Sequence, residues 1–554
     1  MKTTGTAKSE GSTMRGAMAI AHILQKEGIE IVTCFPYNQI IDTVAALGTR
    51  PIMCRTERMA IHIADGYARL TNGKKIAAVC VQAGPGIENA FGAVAQAYGD
   101  NTPMILLPGG YSRNQQDIDP NFQATYNFKH ITKWVAEVNQ AARIPQMMHY
   151  ACTQLRNGRR APVMLEIPDD VMGERIAVTA VNGYQPAQSS RASGDPAAVD
   201  KLVEMWQAAE SPIIVAGQGI FYADACDELL ALAELTNTPV MSTLNGKSVF
   251  PETHPLALGA GGASRTKMVR HFLDKADLVI GIGTSFTRSH YITPIPDGKT
   301  IVQITHDSRD IGKDYFVAHG VIGDAKLVIG QLLDAFGADG GRDETIADEI
   351  AAVKAEFMAE WMARLTNDDT PISPYRVIWE VMQNFDRTRT TVTHEAGSPR
   401  DQAVAMYEAI VPHGYIGWGK TTQLGTSMGL AVGAKLARPD WYAVHIMGDG
   451  AFGMIGMDFE TAVRYQIPIC TIVLNNGVLG GYDNYLPIST EKFGTRNLSG
   501  NYADLARALG GYSERIEQPA ELAPAMRRAQ REMDNGRAVL LEVMTREESV
   551  FAKY

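Results

Sequence analysis

The residue types best suited to chemistry lie in the segment 447–483, where Gly448-Asp449-Gly450 and Asn475-Asn476 each follow an apolar run. The runs WYAVHIM and ICTIVL predict strands, and a helix is expected between them from about Asp458 to Tyr465. Such a crossover places two parallel strands side by side, with both carboxyl ends at one edge of the sheet. Open α/β sheets bind their ligands at that edge. We therefore expect Asp449 and Asn476 to converge.

The expected pair offers a carboxylate and an amide oxygen, which are hard ligands. Mg²⁺ is commonly held by one or two protein groups together with phosphate oxygens. Gly450 and Gly453 would allow the backbone to approach a phosphate closely. Taken alone, the glycine motif is also compatible with an ordinary strand-to-turn exit, and the asparagine pair with a helix cap.

A second motif begins at Glu57, where the run PIMC meets a helical pattern that carries Ala60, Ala64 and Ala68. The small residues allow this helix to pack tightly. The motif continues to Gly66-Tyr67-Ala68-Arg69. Taken alone, Glu57 is also explained as an acidic residue favoured at a helix N-terminus by the dipole.

The elements that must position these residues follow an α/β pattern. Short apolar runs, typical of strands buried on both faces, alternate with helical segments throughout the 554 residues. Polar stretches without periodicity divide the chain into three blocks of doubly wound, mainly parallel sheet. The first stretch is 184–197, and the second division lies between 337–345 and 367–374. The predicted domains are 14–184, 197–335 and 372–554.

Composition excludes several classes of protein. The formal net charge is −10 and 45% of residues are hydrophobic, which argues against wholesale disorder and against nucleic acid as the main partner. No run of residues has the length and apolar character of a membrane span, and residues 1–16 lack the apolar core of a signal peptide. The six cysteines form no CxxC pair. We expect a soluble, cytoplasmic protein without membrane contact.

Taken together, the motifs resemble those of the thiamine-diphosphate-dependent enzymes, the superfamily of acetolactate synthase, pyruvate oxidase and benzoylformate decarboxylase. GDG followed by NN is that family's cofactor motif, and its three domains, named pyrimidine-binding, central and diphosphate-binding, would match the three blocks. The resemblance implies thiamine diphosphate and Mg²⁺ as cofactors. It implies metal ligands at Asp449, Asn476 and the backbone carbonyl of Val478.

The resemblance also implies the remaining site residues. Glu57 would hydrogen-bond the cofactor's aminopyrimidine ring, and Gln123 and Tyr482 would reach the substrate from opposite domains. Tyr482 is equally compatible with a packed aromatic residue, and His130, near Gln123, is read as structural. The positions implied to contact the cofactor are Gly84, Asn89, Gly397, Ser398, Thr422, Leu424, Gly450, Ala451, Asn476 and Gly480.

Two segments depart from the family pattern. Thr391–Gln402 keeps Gly397 but places Pro399 where family members differ, so the diphosphate contacts there are open. In the central block, relatives bind flavin adenine dinucleotide (FAD), an ADP moiety, or nothing. The segment Ile304-Thr305-His306-Asp307 lacks the first acid of the family's ribose-facing pattern, which weakens the flavin alternative.

The resemblance implies a thiamine-diphosphate-dependent lyase or carboligase that acts on a 2-oxo acid, as acetolactate synthase does. The alternative is an enzyme similar to 2-hydroxyacyl-CoA lyase or oxalyl-CoA decarboxylase, and a further one is a catalytically silent relative. In the family the cofactor lies between subunits. We therefore expect a homodimer or homotetramer with the active site at the dimer interface.

Overall fold

The computed structural model describes residues 11–337 and 345–554. The chain divides into two compact units. The first contains the residues up to Ala64 together with Lys74–Ser189, and the second contains Asp65–Gly73 and Ser190–Tyr554. Parallel sheets flanked by helices make up both units, which confirms the predicted α/β fold class.

The first unit is built around one sheet. Its strands are β1 (Thr13–Arg15), β2 (Ile31–Cys34), β3 (Arg50–Met53), β4 (Ala78–Cys80), β5 (Ile105–Leu106), β6 (Gly109–Gly110), β7 (Trp134–Glu137), β8 (Val163–Pro168) and β9 (Arg175–Ala177). Its helices are α1 (Gly16–Lys26), α2 (Gln39–Ala46), α3 (Glu57–Leu70, which continues into the second unit), α4 (Pro85–Gly99), α5 (Ala124–Phe128), α6 (Ile144–Arg156), α7 (Asp169–Gly173) and α8 (Val178–Asn182). The main sheet has the order β3-β2-β4-β5-β8-β6, with β7 also on β8, and its strand pairs are parallel. β1 and β9 form a separate antiparallel pair.

The second unit contains two sheets. The strands of the first are β10 (Pro212–Ala216), β11 (Val240–Thr243), β12 (Ala257–Gly261), β13 (Leu278–Ile282), β14 (Thr300–Thr305) and β15 (His319–Ile322). Its neighbouring helices in the chain are α9 (Pro196–Ala208), α10 (Gly219–Ala223), α11 (Cys226–Thr236), α12 (Lys267–Lys275), α13 (Ala325–Phe336) and α14 (Ile346–Leu365). The order β12-β11-β10-β13-β14-β15 is wholly parallel.

The other sheet of the second unit carries the first motif. Its strands are β16 (Thr390–His394), β17 (Tyr415–Ile416), β18 (Tyr442–Gly448), β19 (Ile469–Asn475), β20 (Tyr512–Ile516) and β21 (Val539–Met544). Its helices are α15 (Pro374–Asn384), α16 (Ser398–Met406), α17 (Ser427–Ala437), α18 (Asp449–Ile455), α19 (Phe459–Arg464), α20 (Pro487–Phe493), α21 (Tyr502–Ala508) and α22 (Pro519–Asp534). The strands are parallel in the order β17-β16-β18-β19-β21-β20. Short 3₁₀ helices lie at Arg113–Gln115, Ala141–Arg143, Leu244–Gly246, Ser308–Asp310, Gly456–Asp458 and Tyr482–Asn484.

The central strands are buried on both faces, as their continuous apolar runs predict. All seven residues of β19 are buried, and so are the five of β10 and the five of β13. The three sheets therefore supply most of the core. Polar side chains lie in the loops at the carboxyl ends of the strands.

The helix predicted from about Asp458 to Tyr465 is present as α19 (Phe459–Arg464), and an additional helix precedes it. This helix, α18, begins at Asp449 and is followed by the 3₁₀ turn Gly456–Asp458 and by α19. Gly448 is the N-cap residue, and Asp449 lies in the first turn, where a carboxylate is favoured by the helix dipole. The glycines obscured this helix in the sequence, because they weaken helix propensity.

The predicted domain boundaries lie between the sheets. Residues 184–195 carry neither helix nor strand, and 366–373 carry no helix. Residues 338–344 of the predicted linker 337–345 lie outside the described residues. Within the described part of the chain, none of the helices combines the length and the apolar character that crossing a membrane requires.

Candidate functional site

Four neighbouring strands of the C-terminal sheet end at one edge and surround a cavity. The strands are β17, β16, β18 and β19, which are parallel and adjacent. The cavity has a volume of about 240 Å³. All the predicted site residues of the second unit line it: Gly397, Ser398, Thr422, Leu424, Asp449, Gly450, Ala451, Asn476, Val478, Gly480 and Tyr482. The convergence expected from the strand–helix–strand pattern is therefore present in the structure.

Asp449 joins the ends of the two middle strands. One carboxylate oxygen accepts a hydrogen bond from the backbone N–H of Gly450 at 2.9 Å, and the other accepts from Gly477 at 2.9 Å. The side chain is buried, and burial raises its pKa, while the two N–H groups act in the opposite direction. A buried carboxylate with free lone pairs facing a cavity is a charge that a bound cation would offset.

The two asparagines after β19 have different environments. Asn475 is buried and donates to the carboxylate of Glu542 at 2.7 Å, and Glu542 in turn accepts from the backbone of Ala503 at 2.9 Å. Asn476 lines the cavity, and its side-chain oxygen accepts from Val478 N–H at 3.1 Å. Asn475 therefore anchors the turn, and Asn476 is the member of the pair that is available to a ligand.

Small residues keep space open beside these groups. Gly397 has a φ of +82°, and a Cβ at Gly397 or Gly448 would meet no atom within 4 Å. A Cβ at Gly480 would lie 3.5 Å from Ser398 Oγ, so these two loops approach each other across the cavity.

The residues fit thiamine diphosphate and Mg²⁺. The donors are a carboxylate, an amide oxygen and backbone groups, which suit a hard cation that is bound jointly by protein and phosphate. Across the described residues, no group of three or more His, Cys, Asp or Glu side chains forms a complete metal cage. An ion at Asp449 would therefore also take oxygen ligands of other kinds, such as the amide oxygen of Asn476, water or a bound phosphate.

The loop that carries Thr422 and Leu424 is held by a residue that sequence reasoning missed. Glu395 is fully buried directly after β16. Its carboxylate accepts from Ala396 N–H at 2.9 Å, from Ser427 N–H at 3.1 Å and from Ser427 Oγ at 2.8 Å. These bonds fix the start of α17, immediately after the cavity loop. The sequence offers only that Glu395 directly follows the largely β-branched run TTVTH, which does not indicate its partners.

Arg400 is a second residue that sequence reasoning missed. It lies in the first turn of α16, is buried, and lines the cavity beside Tyr291. Its guanidinium carbon lies 4.5 Å from the centre of the Tyr291 ring.

The C-terminal segment is ordered and contributes to the cavity. Thr545, Arg546 and Glu548 line it. Further along, Ala552 accepts a backbone hydrogen bond from Arg265 at 2.7 Å, and the Tyr554 hydroxyl accepts from Trp361 at 2.7 Å. The segment is thus held against other parts of the second unit, and its first residues form part of the cavity wall.

The first unit brings two other motifs together at its own sheet edge. Glu57 begins α3 and is buried. A Cβ at Gly86 would lie 3.6 Å from Glu57 Oε1, so the segment 82–86, which leads into α4, passes next to this carboxylate. Gly84 has a φ of +62°, and a Cβ there would approach the Tyr111 hydroxyl to 2.4 Å. Asn89 is exposed.

The residues expected to reach the substrate are exposed. Gln123 is the N-cap residue of α5, and its amide lies 3.4 Å from Asp117. Tyr482 is 50% exposed and lines the cavity of the second unit. Its ring centre lies 6.4 Å from that of Tyr485. His130 is also exposed.

The glycine loops of the central sheet do not form a phosphate cradle. Gly217 donates to Ile282 O at 2.9 Å, and Gly219 donates to Gly283 O at 2.9 Å. A Cβ at Gly217 would lie 2.3 Å from Gly283 O. Because the two loops pack backbone against backbone, these N–H groups are already used. Asp307, which the family pattern would place on a ribose, pairs with Arg309 at 2.6 Å. The N–H groups of Gly217 and Gly219 are therefore not available to the phosphates of a nucleotide.

Comparison with known families identifies three matching regions. Residues 14–140 match the family described as "Thiamine pyrophosphate enzyme, N-terminal TPP binding domain". Residues 199–332 match its central domain, and residues 395–543 match its C-terminal TPP binding domain. Thiamine pyrophosphate is another name for thiamine diphosphate.

Several curated proteins are similar over nearly the whole chain. A probable acetolactate synthase large subunit of Methanocaldococcus jannaschii is 30% identical, with 93% of this chain and 90% of the relative covered. A glyoxylate carboligase of Escherichia coli O157:H7 is 28% identical, covering 96% and 93%. A sulfoacetaldehyde acetyltransferase of Alcaligenes xylosoxydans xylosoxydans is 27% identical, covering 92% and 89%.

Proposed function

Because this chain belongs to the thiamine pyrophosphate enzymes, we propose that it is a Mg²⁺-dependent carboligase that joins a 2-oxo acid to a second carbonyl compound. That it is a thiamine-diphosphate-dependent enzyme follows from the family. The choice of carboligation is supported by the relatives named acetolactate synthase and glyoxylate carboligase.

The observation that carries the proposal is the convergence of Asp449 and Asn476 at one cavity. In our proposal Asp449, Asn476 and the carbonyl of Val478 hold Mg²⁺, which neutralises the diphosphate. Gly450, Ala451 and Gly480, together with Gly397 and Ser398 of the opposite loop, line the same cavity and would border the phosphates. Thr422 and Leu424 would contact the organic part of the cofactor. When bound, thiamine diphosphate supplies the electron sink that makes and breaks bonds next to a carbonyl group.

Glu57 is proposed to hold a proton at the cofactor's aminopyrimidine. Its carboxylate lies next to Gly86 in the segment 82–86, and this segment is proposed to contact the same ring together with Asn89. Gln123 and Tyr482 are proposed to orient the substrate through hydrogen bonds.

The lining of the cavity favours carboligation over simple aldehyde release. Among the residues that the structure describes, no histidine borders it, and Tyr482 is a neutral hydroxyl group. A site with few strong proton donors delays the protonation that would release an aldehyde, so a second carbonyl compound has time to react.

We also propose the domain division 14–184, 197–335 and 372–554, and a cytoplasmic homodimer or homotetramer in which residues from two subunits complete each site. An exposed apolar surface supports association: Tyr485 is 82% exposed, Ile488 67% and Phe493 79%. Because the N–H groups of Gly217 and Gly219 are already bonded to the neighbouring loop, the proposal does not include FAD or an ADP-containing cofactor.

Product analysis of the reconstituted enzyme tests the reaction. The protein is loaded with thiamine diphosphate and Mg²⁺ and given pyruvate, glyoxylate, a 2-hydroxyacyl-CoA, or formyl-CoA with a ketone, each separately. We expect condensation products from the 2-oxo acids. Turnover of the CoA compounds alone would favour the acyl-CoA alternative, and release of free aldehyde alone would identify a simple decarboxylase. The Asp449→Ala protein is the matched inactive control.

Sedimentation tests the assembly. We expect a dimer or a larger even-numbered species in the wild-type protein. The substitution Phe493→Glu in the exposed apolar surface should shift the protein toward monomer and reduce activity together. A fully active wild-type monomer would contradict the proposed shared site.

A further inference from the structure

Arg400 is a buried cation that faces the cavity with part of its hydrogen-bonding capacity unused. The residue is 3% exposed and lies in the first turn of the nine-residue helix α16. Its Nε donates to Asp401 at 2.8 Å. Its Nη1 has no hydrogen-bond partner. Buried N–H groups of arginine are usually satisfied, so this atom needs an explanation.

The position of Arg400 in the helix raises the electrostatic free energy of its incompletely bonded guanidinium. The first turn of a helix carries the positive end of the dipole, where an acidic residue is favoured and a basic one is not. Asp401 neutralises the guanidinium from one side only. A buried positive charge at the positive end of a helix is therefore electrostatically unsatisfied in the chain alone.

Arg400 lines the cavity, and its guanidinium is bordered by Tyr291 and by the backbone of Gly419. Tyr291 covers one face of it. A Cβ at Gly419 would lie 3.8 Å from Nη1 and 3.7 Å from Cδ of Arg400, so the lack of a side chain at Gly419 leaves room next to the charge.

Arg546, the other arginine that lines the cavity, is already paired. It lies 2.8 Å from Asp369 and 3.6 Å from Glu548. Arg400 is therefore the arginine of this cavity best placed to accept a new anionic partner.

We propose that Arg400 is an oxyanion-binding residue, whose guanidinium binds the anionic oxygens of a ligand held in this cavity. A guanidinium forms strong, directional hydrogen bonds with both phosphate and carboxylate groups. Two sources share this chemistry, namely the diphosphate of the cofactor and the carboxylate of the acid substrate. The carboxylate source rests on the proposed function, whereas the phosphate source rests on membership of the family alone.

Calorimetry with Arg400→Gln tests the proposal without requiring turnover. The probes are thiamine diphosphate and inorganic pyrophosphate with the apo-protein in excess Mg²⁺, and oxamate, an unreactive analogue of pyruvate, with the cofactor-loaded protein. Loss of a charge-assisted hydrogen bond predicts affinity that is weaker by about 10- to 100-fold for one class of probe. Arg528→Gln removes a charge of the same sign from a pair with Glu514 outside the cavity, and it should leave all three affinities unchanged.

The pattern of losses identifies the source. Weaker thiamine diphosphate and pyrophosphate binding with unchanged oxamate binding assigns Arg400 to the phosphates. Weaker oxamate binding alone assigns it to the carboxylate. Affinities within about two-fold of wild type for all three probes would overturn the proposal, whether or not the enzyme is a carboligase.

Arg400→Lys covers the case in which the glutamine variant does not fold. Lysine retains the charge but lacks the planar fork, so affinity for the same probe should fall to an intermediate value. If binding by the lysine variant equals that of wild type while its melting temperature falls, Arg400 has only a structural role and the proposal fails.

Discussion

The carboxylate of Asp449, which follows β18, accepts a hydrogen bond at 2.9 Å from the backbone N–H of Gly477, which follows the adjacent strand β19. This bond joins two loops that a parallel sheet brings to one edge. It also orients the carboxylate while leaving lone pairs for a ligand in the cavity. The geometry thus serves both the local turn and a bound cation, and the two roles can be separated by mutation.

Replacing Asp449 with alanine should abolish Mg²⁺-dependent binding of thiamine diphosphate. Removing only an outer-sphere partner of a metal typically lowers metal affinity by about 10–100-fold. The affinity for thiamine diphosphate should fall by more than this in Asp449→Ala, because one of the few protein ligands of the metal is lost beside two phosphates. Calorimetric titration at fixed Mg²⁺ measures it. Asp483→Ala, which removes a half-exposed acid from the same region, is the control. Unchanged cofactor affinity in Asp449→Ala would refute the metal assignment.

The convergence of Asp449 and Asn476 could be predicted because it depends on chain topology alone. Parallel strands joined by a helical crossover must end at the same edge, whatever the side chains do. The roles of Glu395 and Arg400 could not be predicted, because they depend on burial and on partners that are distant in the sequence, such as Ser427 and Tyr291. The helix α18 was missed for a local reason, since the two glycines within it, Gly450 and Gly453, weaken the helical pattern.

Glu57→Gln should separate cofactor binding from catalysis. Glutamine keeps the size of the buried side chain beside the segment 82–86 but cannot share a proton. We expect turnover and exchange of the cofactor's C2 proton to fall by about 10²–10⁴-fold, as is typical for loss of an acid–base group, with cofactor affinity largely retained. Proton exchange followed by NMR measures the effect. Glu30→Gln, at an exposed position of the first unit outside these motifs, should exchange normally, and normal exchange in Glu57→Gln would exclude its proposed role.

The stability of the first unit should depend on pH through Glu166. Burial, together with the nearby charge of Glu137, raises the pKa of this carboxyl from 4.5 to about 7. The folded state therefore holds the proton to higher pH than the unfolded chain. This difference contributes about 3 kcal/mol to the free energy of unfolding. The contribution is fully present below pH 4.5 and is lost as the pH rises to about 7.

Glu166→Gln should remove this dependence, because glutamine stays neutral and can still accept the backbone hydrogen bond from Thr125. The free energy of unfolding of the variant minus that of wild type should therefore be larger at pH 8 than at pH 5. Urea unfolding at both pH values measures the difference. Glu204→Gln, at a side chain that is 67% exposed, should follow wild type. A difference between Glu166→Gln and wild type that stays constant with pH would contradict the prediction.

The adjacent residues Asn475 and Asn476 should give opposite results when each is replaced by alanine. Asn475→Ala leaves the fully buried carboxylate of Glu542 without its 2.7 Å partner, and it should cost about 1–3 kcal/mol of unfolding free energy. Asn476→Ala removes a group that borders the cavity and should weaken Mg²⁺-dependent cofactor binding with little effect on the apo-protein's stability. Thermal melting of the apo-protein and calorimetry of cofactor binding, applied to both variants, distinguish the two roles. If both variants lost stability equally and neither lost cofactor affinity, the asparagine pair would be a structural cap, and the metal site would have to be assigned without Asn476.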